Sequence, residues 1–295
     1  MLTFFPPRLV SLFAGDGRGR GGSVAARMVC LAAVLVALVG GGLARGKAPI
    51  EDLPVGVALL AEPRLRDPDA FRADLQSRLG AAVTLGAITA TPDSINLETS
   101  VGRILVEMSN QPLGQSDFGY LCATAWYWPE ACPSTANHKA HAIVVFVTPI
   151  QDRVGVRLVV SHALAALMDE NVVAGSAGGA LHSRAEFKKE TETMSRTAPP
   201  VLLWVVLRVS KHKRKGVTVS TDGLSPFGLR ELEARDVRVD PLSVTTTVAA
   251  VAHLLIEKGP IFADGDTLGD DRVRVEQGVS SFDPTVQVYH LRWPR

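Results

Sequence analysis

Twice in this 295-residue chain an Asp-Pro pair opens a helix-period stretch that a glycine closes. Asp67-Pro68 precedes Phe71, Leu75 and Leu79, and Gly80 follows. Asp240-Pro241 precedes Val244, Val248, Val251 and Leu255, and Gly259-Pro260 follows. Aspartate supplies a side-chain acceptor for the first free N–H groups, and proline at the first helical position sacrifices no hydrogen bond. Glycine suits the backbone turn that ends a helix. Apolar residues three and four apart give each helix one greasy stripe, which must be buried against another element.

The partners are short runs of strand length. Segments 55–60, 83–88, 95–98, 101–108 and 142–147 are predicted strands, with turns at Thr91-Pro92-Asp93-Ser94 and Thr99-Ser100. A helix is expected over 151–170, a short strand over 172–174, and a further helix after the Ser183/Glu186 capping box. Residues 111–140 lack periodicity and read as one long ordered loop. Segments 201–209 and 217–220 read as a hairpin, and its basic tip Lys211–Lys215 as a solvated turn that protects an edge. Three strands close the chain, near Ile261, 272–276 and 286–291. The irregular alternation predicts an α+β fold with mostly antiparallel sheet and four principal helices, arranged as two similar halves around one core.

Composition narrows the class. With 46 % hydrophobic and 21 % charged residues, the chain carries enough apolar material for a large core and is not a disordered sequence. Net charge is +1, unevenly spread. Residues 1–48 hold six basic groups and one acid, which leaves 25 basic and 29 acidic residues in the remainder. A mildly acidic body is a poor match for phosphate backbones, so no nucleic-acid partner is expected. Residues 1–27 form a basic, Gly-rich leader, 28–45 a hydrophobic signal-anchor or signal peptide, 46–54 a linker and 55–295 the α+β domain. The uncharged stretch Met28 to Ala44 reaches the lower limit for a membrane span, and the flanking basic residues favour an exported body. A start near Met28 would instead leave a cytoplasmic protein with a spurious leader.

Candidate site residues cluster in the middle. Trp126, Tyr127 and Trp128 sit together in the aperiodic segment, where large aromatics either plug a core or line an interface. Tyr127 is expected outward if the two tryptophans point in. His138 and His141 are a candidate divalent-metal pair if the segment is helical, whereas an extended backbone sends them to opposite faces. Alternatively, a histidine there satisfies a buried backbone group. No cofactor is required by any motif. Cys122 and Cys132 lie either side of the aromatics, free to pair in an oxidising compartment and ordinary thiols otherwise. Gly175–Gly179 precedes a capped helix and weakly suggests an anion cradle, with His182 beside it. Asp264-Gly265-Asp266 reads as a turn, His162 as a packed histidine, and His253 as solvent-facing near Glu257.

Five motifs occur in order: Cys122-Ala-Thr-Ala-Trp126-Tyr-Trp128-Pro129; His138-Lys139-Ala140-His141; Pro200-Val-Leu-Leu-Trp204; Thr221-Asp-Gly223-Leu-Ser-Pro-Phe227-Gly228-Leu-Arg-Glu231-Leu-Glu233; and Asp264-Gly265-Asp266-Thr267-Leu268-Gly269. Together they resemble the uncharacterised bacterial family known as domain of unknown function 4261. That resemblance implies a shared fold and supplies no catalytic residues. The functional expectation is a non-catalytic binding domain on or beyond a bacterial membrane, with a protein or small-molecule partner. The alternatives are a metal-dependent hydrolase using His138 and His141, and a cytosolic immunity-type protein.

Overall fold

The computed structural model describes residues 55–149, 151–212, 216–269 and 273–294. The leader, the hydrophobic segment 28–45 and the linker 46–54 lie outside the described residues, as does the tip 213–215 of the basic hairpin. Among the described residues, no helix is long and apolar enough to cross a membrane.

The α+β expectation holds, with two sheets. The first contains β1 (Val55–Leu60), β2 (Leu85–Thr91), β3 (Ser94–Thr99), β4 (Gly102–Ser109), β5 (Ala140–Val147), β6 (Val172–Ser176) and β7 (His182–Ser183). Its order is β2-β3-β4-β5-β1-β6-β7, antiparallel throughout. The second contains β8 (Val206–His212), β9 (Gly216–Asp222), β10 (Glu231–Val237), β11 (Thr267–Leu268), β12 (Val273–Val279) and β13 (Gln287–Arg292). Its order is β11-β12-β13-β10-β9-β8, and only β10 and β13 run parallel.

Seven α-helices are present among the described residues, three more than the expected four. Both Asp-Pro caps form as the sequence dictates. Asp67 accepts the Ala70 N–H at the start of α1 (Pro68–Leu79), and Asp240 accepts the Ser243 N–H at the start of α7 (Pro241–Lys258). The 111–140 segment is not one loop: it folds into α2 (Gln115–Thr124) and α3 (Ala131–Thr135). The expected strand 201–209 begins as a helical turn, α6 (Val201–Trp204), because the preceding Pro199-Pro200 carbonyls accept the Val201 and Leu203 N–H groups. No strand forms at Ile261, and β10 begins Glu-Leu-Glu-Ala, an alternation whose polar members, Glu231 and Glu233, are buried as well as its apolar ones. Each half carries an Asp-Pro-capped helix, but their sheets differ in strand order and direction.

One main core runs through both sheets, joining Phe71, Leu75, Phe146 and Leu164 to Trp204, Val219, Val248 and Leu291. It includes one face of β1, through Ala58 and Leu60, and the inner side of α4 (Arg153–Leu167). The opposite face of β1, Val57 and Leu59, packs with Leu121, Cys122 and Ala125 of the α2 region in a second cluster. Strand alternation thus buries the centre of the first sheet on both sides. It also explains why α2 exists: without it, Val57 and Leu59 would face water.

Trp204 joins the two sheets. Its fully buried indole donates to Ser161 Oγ at 2.8 Å, and Phe227 lies 5.6 Å away. Its backbone carbonyl is held between Gly178 and Gly223, where any Cβ would collide with it. Gly178→Ala is therefore expected to destabilise by about 3 kcal/mol through overpacking against fixed backbone. Gly119, inside α2 with open space around its Cα, should behave oppositely, and Gly119→Ala is expected to stabilise by about 0.5–1 kcal/mol. Urea unfolding of the two variants measures both signs.

Candidate functional site

The face built on α2 and α3 gathers all five candidate residues. After β4 the chain passes through Gln111 and Leu113 into α2. Two histidines pin it there. His138, in the turn after α3, accepts the Leu113 N–H on Nε2 at 2.9 Å and donates from Nδ1 to Thr135 O at 2.8 Å. His141, on β5, has Nδ1 2.9 Å from Gln111 O. Burial lowers the His141 pKa; the Gln111 carbonyl opposes that shift and neighbouring His138 adds to it. Both rings are buried, so the pair staples one backbone segment from two sides.

This geometry decides what His138 can do. An acceptor nitrogen taken by a backbone N–H and a donor nitrogen spent on a carbonyl leave no lone pair for a metal. Among the described residues, no group of three or more His, Cys, Asp or Glu side chains is placed to hold a metal ion. The segment is also neither the helix that would align the two imidazoles nor a plain strand: one residue sits in a turn and the other in β5.

The aromatic triplet is arranged the other way round from expectation. Tyr127 points inward and Trp126 outward. The Tyr127 hydroxyl donates to Leu181 O at 2.9 Å and lies 2.7 Å from His182 Nε2, itself 2.9 Å from Leu202 O. One assignment satisfies all three contacts, with the His182 Nε2–H shared between Leu202 O and the tyrosine oxygen. The two rings stack at 4.7 Å. Burial pushes the His182 imidazole down to about 4 and the Tyr127 phenol well above its ordinary range. Trp128 packs half-buried on the second cluster, whereas Trp126 remains 39 % exposed, edge-on to Tyr127 at 5.6 Å. The physical reason is polarity: Tyr127 finds two polar partners inside, Leu181 O and His182 Nε2, and Trp126 finds none.

Cys122 and Cys132 are neighbouring free thiols. Burial, then the contact with Cys132, raises Cys122 to about 12. The Gly175–Gly179 loop is not an open anion cradle, since the Gly179 N–H is taken by Ser176 Oγ and Gly178 lies against the Trp204 backbone. Asp264 and Asp266 accept the Gln277 and Ala263 N–H groups, as a turn requires. His253 is half-exposed and 3.9 Å from Glu257. Two shallow grooves, of about 270 and 290 Å³, lie elsewhere and include no residue of the aromatic face.

Sequence reasoning missed a polar clasp on the second sheet. Buried Glu231 accepts the Thr221 hydroxyl at 2.6 Å on one oxygen and the Gly223, Leu224 and Ser225 N–H groups on the other. Burial pushes its carboxyl above the ordinary value, against the pull of those donors. Two positions on, Glu233 accepts from Ser280 Oγ and the Ser281 N–H, while its second oxygen faces His290 Nδ1 at 3.9 Å. Asp222 accepts the Tyr120 hydroxyl at 2.9 Å and pairs with Arg208, tying α2 to the second sheet. The spacing of two between Glu231 and Glu233 is the signal for a strand with one polar face.

Residues 220–291 match the family model described as domain of unknown function (DUF4261). The chain carries a DUF4261-like domain. The match covers 72 of 295 residues, from the end of β9 into β13, and so takes in the Glu231 clasp and α7. Two of the five resembling motifs, 221–233 and 264–269, lie inside the DUF4261 match; the aromatic and histidine motifs lie outside it. No curated protein and no solved structure matches the chain.

Two outcomes are expected from this network. Glu231→Ala strands three backbone N–H groups and the Thr221 hydroxyl, and should cost at least about 3 kcal/mol in urea unfolding, with Glu231→Gln costing less. His162, on α4, has a buried Nδ1 with no partner, and burial and Arg78 lower its pKa to about 4. The unfolded chain therefore takes up a proton there as pH falls from about 6.5 towards 4 while the folded chain does not, and stability drops across that window. His162→Leu should raise the urea midpoint more at pH 5 than at pH 7.

Proposed function

We propose that this protein is a non-catalytic recognition domain, held on or beyond a bacterial membrane by residues 28–45, that binds a protein partner through the Trp126 face. The observation that carries this reading is an exposed indole on a locked base. Tyr127 fixes the adjoining backbone through Leu181 and His182, and the His138/His141 staple fixes the entry to α2. A large aromatic held in place loses little entropy on binding, and such residues dominate interface energetics. The two grooves of about 270 and 290 Å³ lie away from this face, which supports a protein surface as partner. The uncharged stretch Met28 to Ala44, flanked by Arg27 and Arg45, supports the membrane location.

The hydrolase reading has less support, because the His138 nitrogens are spent on backbone groups. A photoreactive amino acid in place of Trp126, in the full chain with a C-terminal tag, tests the recognition reading in native cells. One dominant cross-linked protein in the envelope fraction is expected, absent when the probe stands at exposed Leu242 instead. No adduct specific to position 126, or a full-length soluble cytoplasmic pool, would overturn it.

A further inference from the structure

Two thiols flank the aromatic turn, and the fold brings one back to the other. Cys122 lies near the end of α2, and Cys132 is the second residue of α3. Between them the backbone makes three turns in succession. The Ala125 N–H donates to Cys122 O at 3.1 Å, the Trp128 N–H to Ala125 O at 2.9 Å, and the Ala131 N–H to Trp128 O at 3.0 Å. Cys122, Ala125 and Ala131 are buried together in the second cluster, which packs the start of α3 against the end of α2. The two thiols touch there, with the Thr135 hydroxyl beside Cys122. Cys122 is buried and Cys132 exposed. The α+β domain has no other cysteine, since Cys30 falls in the hydrophobic segment.

We propose that Cys122 and Cys132 are joined in a disulfide that closes the loop 122–132 around Trp126, Tyr127 and Trp128, making the recognition face a covalent ring. The oxidant is the disulfide of a thiol–disulfide exchange protein of an oxidising compartment, and that supply rests on the exported location proposed above. Cys132, the accessible thiol, gives up its proton and attacks one sulfur of that disulfide. The other sulfur leaves as a thiolate, and Cys132 carries a mixed disulfide. Cys122 then gives up its proton and attacks the Cys132 sulfur, expelling the second sulfur of the oxidant. The two protons go to the two departing thiolates, so two thiols lose two electrons and one disulfide becomes two thiols.

Burial sets that order. The Cys122 thiol, held up to about 12, keeps its proton while Cys132 is a thiol. Part of that rise comes from Cys132 itself and vanishes once Cys132 bears the partner sulfur. The bond adds to the hydrogen bonds of Tyr127 and His138, which fasten the turn and the entry to α2 but leave the α2–α3 corner to packing alone. A closed loop restricts the open states of that corner.

Trypsin places both cysteines on one peptide, 104–139. Cells are quenched in acid, alkylated with iodoacetamide and digested. The peptide should appear unlabelled and about two mass units lighter than its dithiol form, and should take two labels after reduction. The purified full chain in oxidised glutathione separates the bond from its location. Wild type should close the same bond without a lasting adduct, whereas Cys122→Ser should retain glutathione on Cys132. Reduction of the wild type should speed hydrogen exchange at the Ala125, Trp128 and Ala131 amides about tenfold or more. Two labels on wild type after oxidised glutathione, a lasting Cys132 adduct, or unchanged exchange overturns the proposal, as do two labels on chain from the envelope fraction. Closure in the purified chain with two labels on a cytoplasmic pool supports the pairing and removes the exported location instead.

Discussion

The structure depends on how Trp204 is seated. A fully buried tryptophan needs a partner for its indole N–H, and Ser161 on α4 provides it. Its ring then fills the junction of the two sheets, and its carbonyl is approached from both sides by backbone. Only glycine permits that approach, at Gly178 from the first sheet and at Gly223 from the second. Arg157 caps the same junction, donating to Ala177 O at 2.8 Å and lying over the Phe227 ring at 5.1 Å. The sheets therefore meet through close backbone contact at Trp204 as well as through the buried side chains of one continuous core.

From that junction the candidate site inherits its rigidity. The loop after β6 is wedged against Trp204 and Val206, and it presents Gly179 O to the Thr124 hydroxyl at the end of α2. Leu181 and His182 follow directly and anchor Tyr127. A chain of short contacts thus runs from the sheet junction to the exposed Trp126. Burying His182 as a neutral ring is costly to reverse, so the anchor is firm at neutral pH. The Tyr127 hydroxyl, His182 Nε2 and the Thr124 hydroxyl each hold a backbone carbonyl here.

What could be read from the sequence follows the range of the forces involved. The Asp-Pro caps, the Ser183 cap and the apolar runs of β1, β4 and β5 are local effects, and they form where spacing places them. α2 was hidden because Gly119 and mixed polarity blur its period, and its stability comes from covering Val57 and Leu59. β10 was hidden because its polar face buries Glu231 and Glu233, which pattern reasoning assigns to solvent. The roles of His138 and His141 depend on Leu113 and Gln111, up to thirty residues away, and no spacing rule encodes such a contact. Tyr127 was misdirected for the same reason: its inward partners lie more than fifty residues further along the chain.

The DUF4261-like segment has a further consequence for where function can lie. Thr221, Gly223 and Glu231 form the clasp, Phe227 packs on Trp204, and Gly228 takes a left-handed backbone beside Arg153. These five residues of the motif have structural duties, so sharing them transmits a fold before it transmits an activity. Glu233 and His290 differ, because their facing atoms are buried, 3.9 Å apart and without hydrogen-bond partners. The Ser280-Ser281 turn holds the other Glu233 oxygen, His290 Nε2 lies 3.1 Å from Val279 O, and Arg235 Nε lies 4.0 Å from the facing Glu233 oxygen. The aromatic motif lies outside the family match, and its Trp126 indole is 39 % exposed.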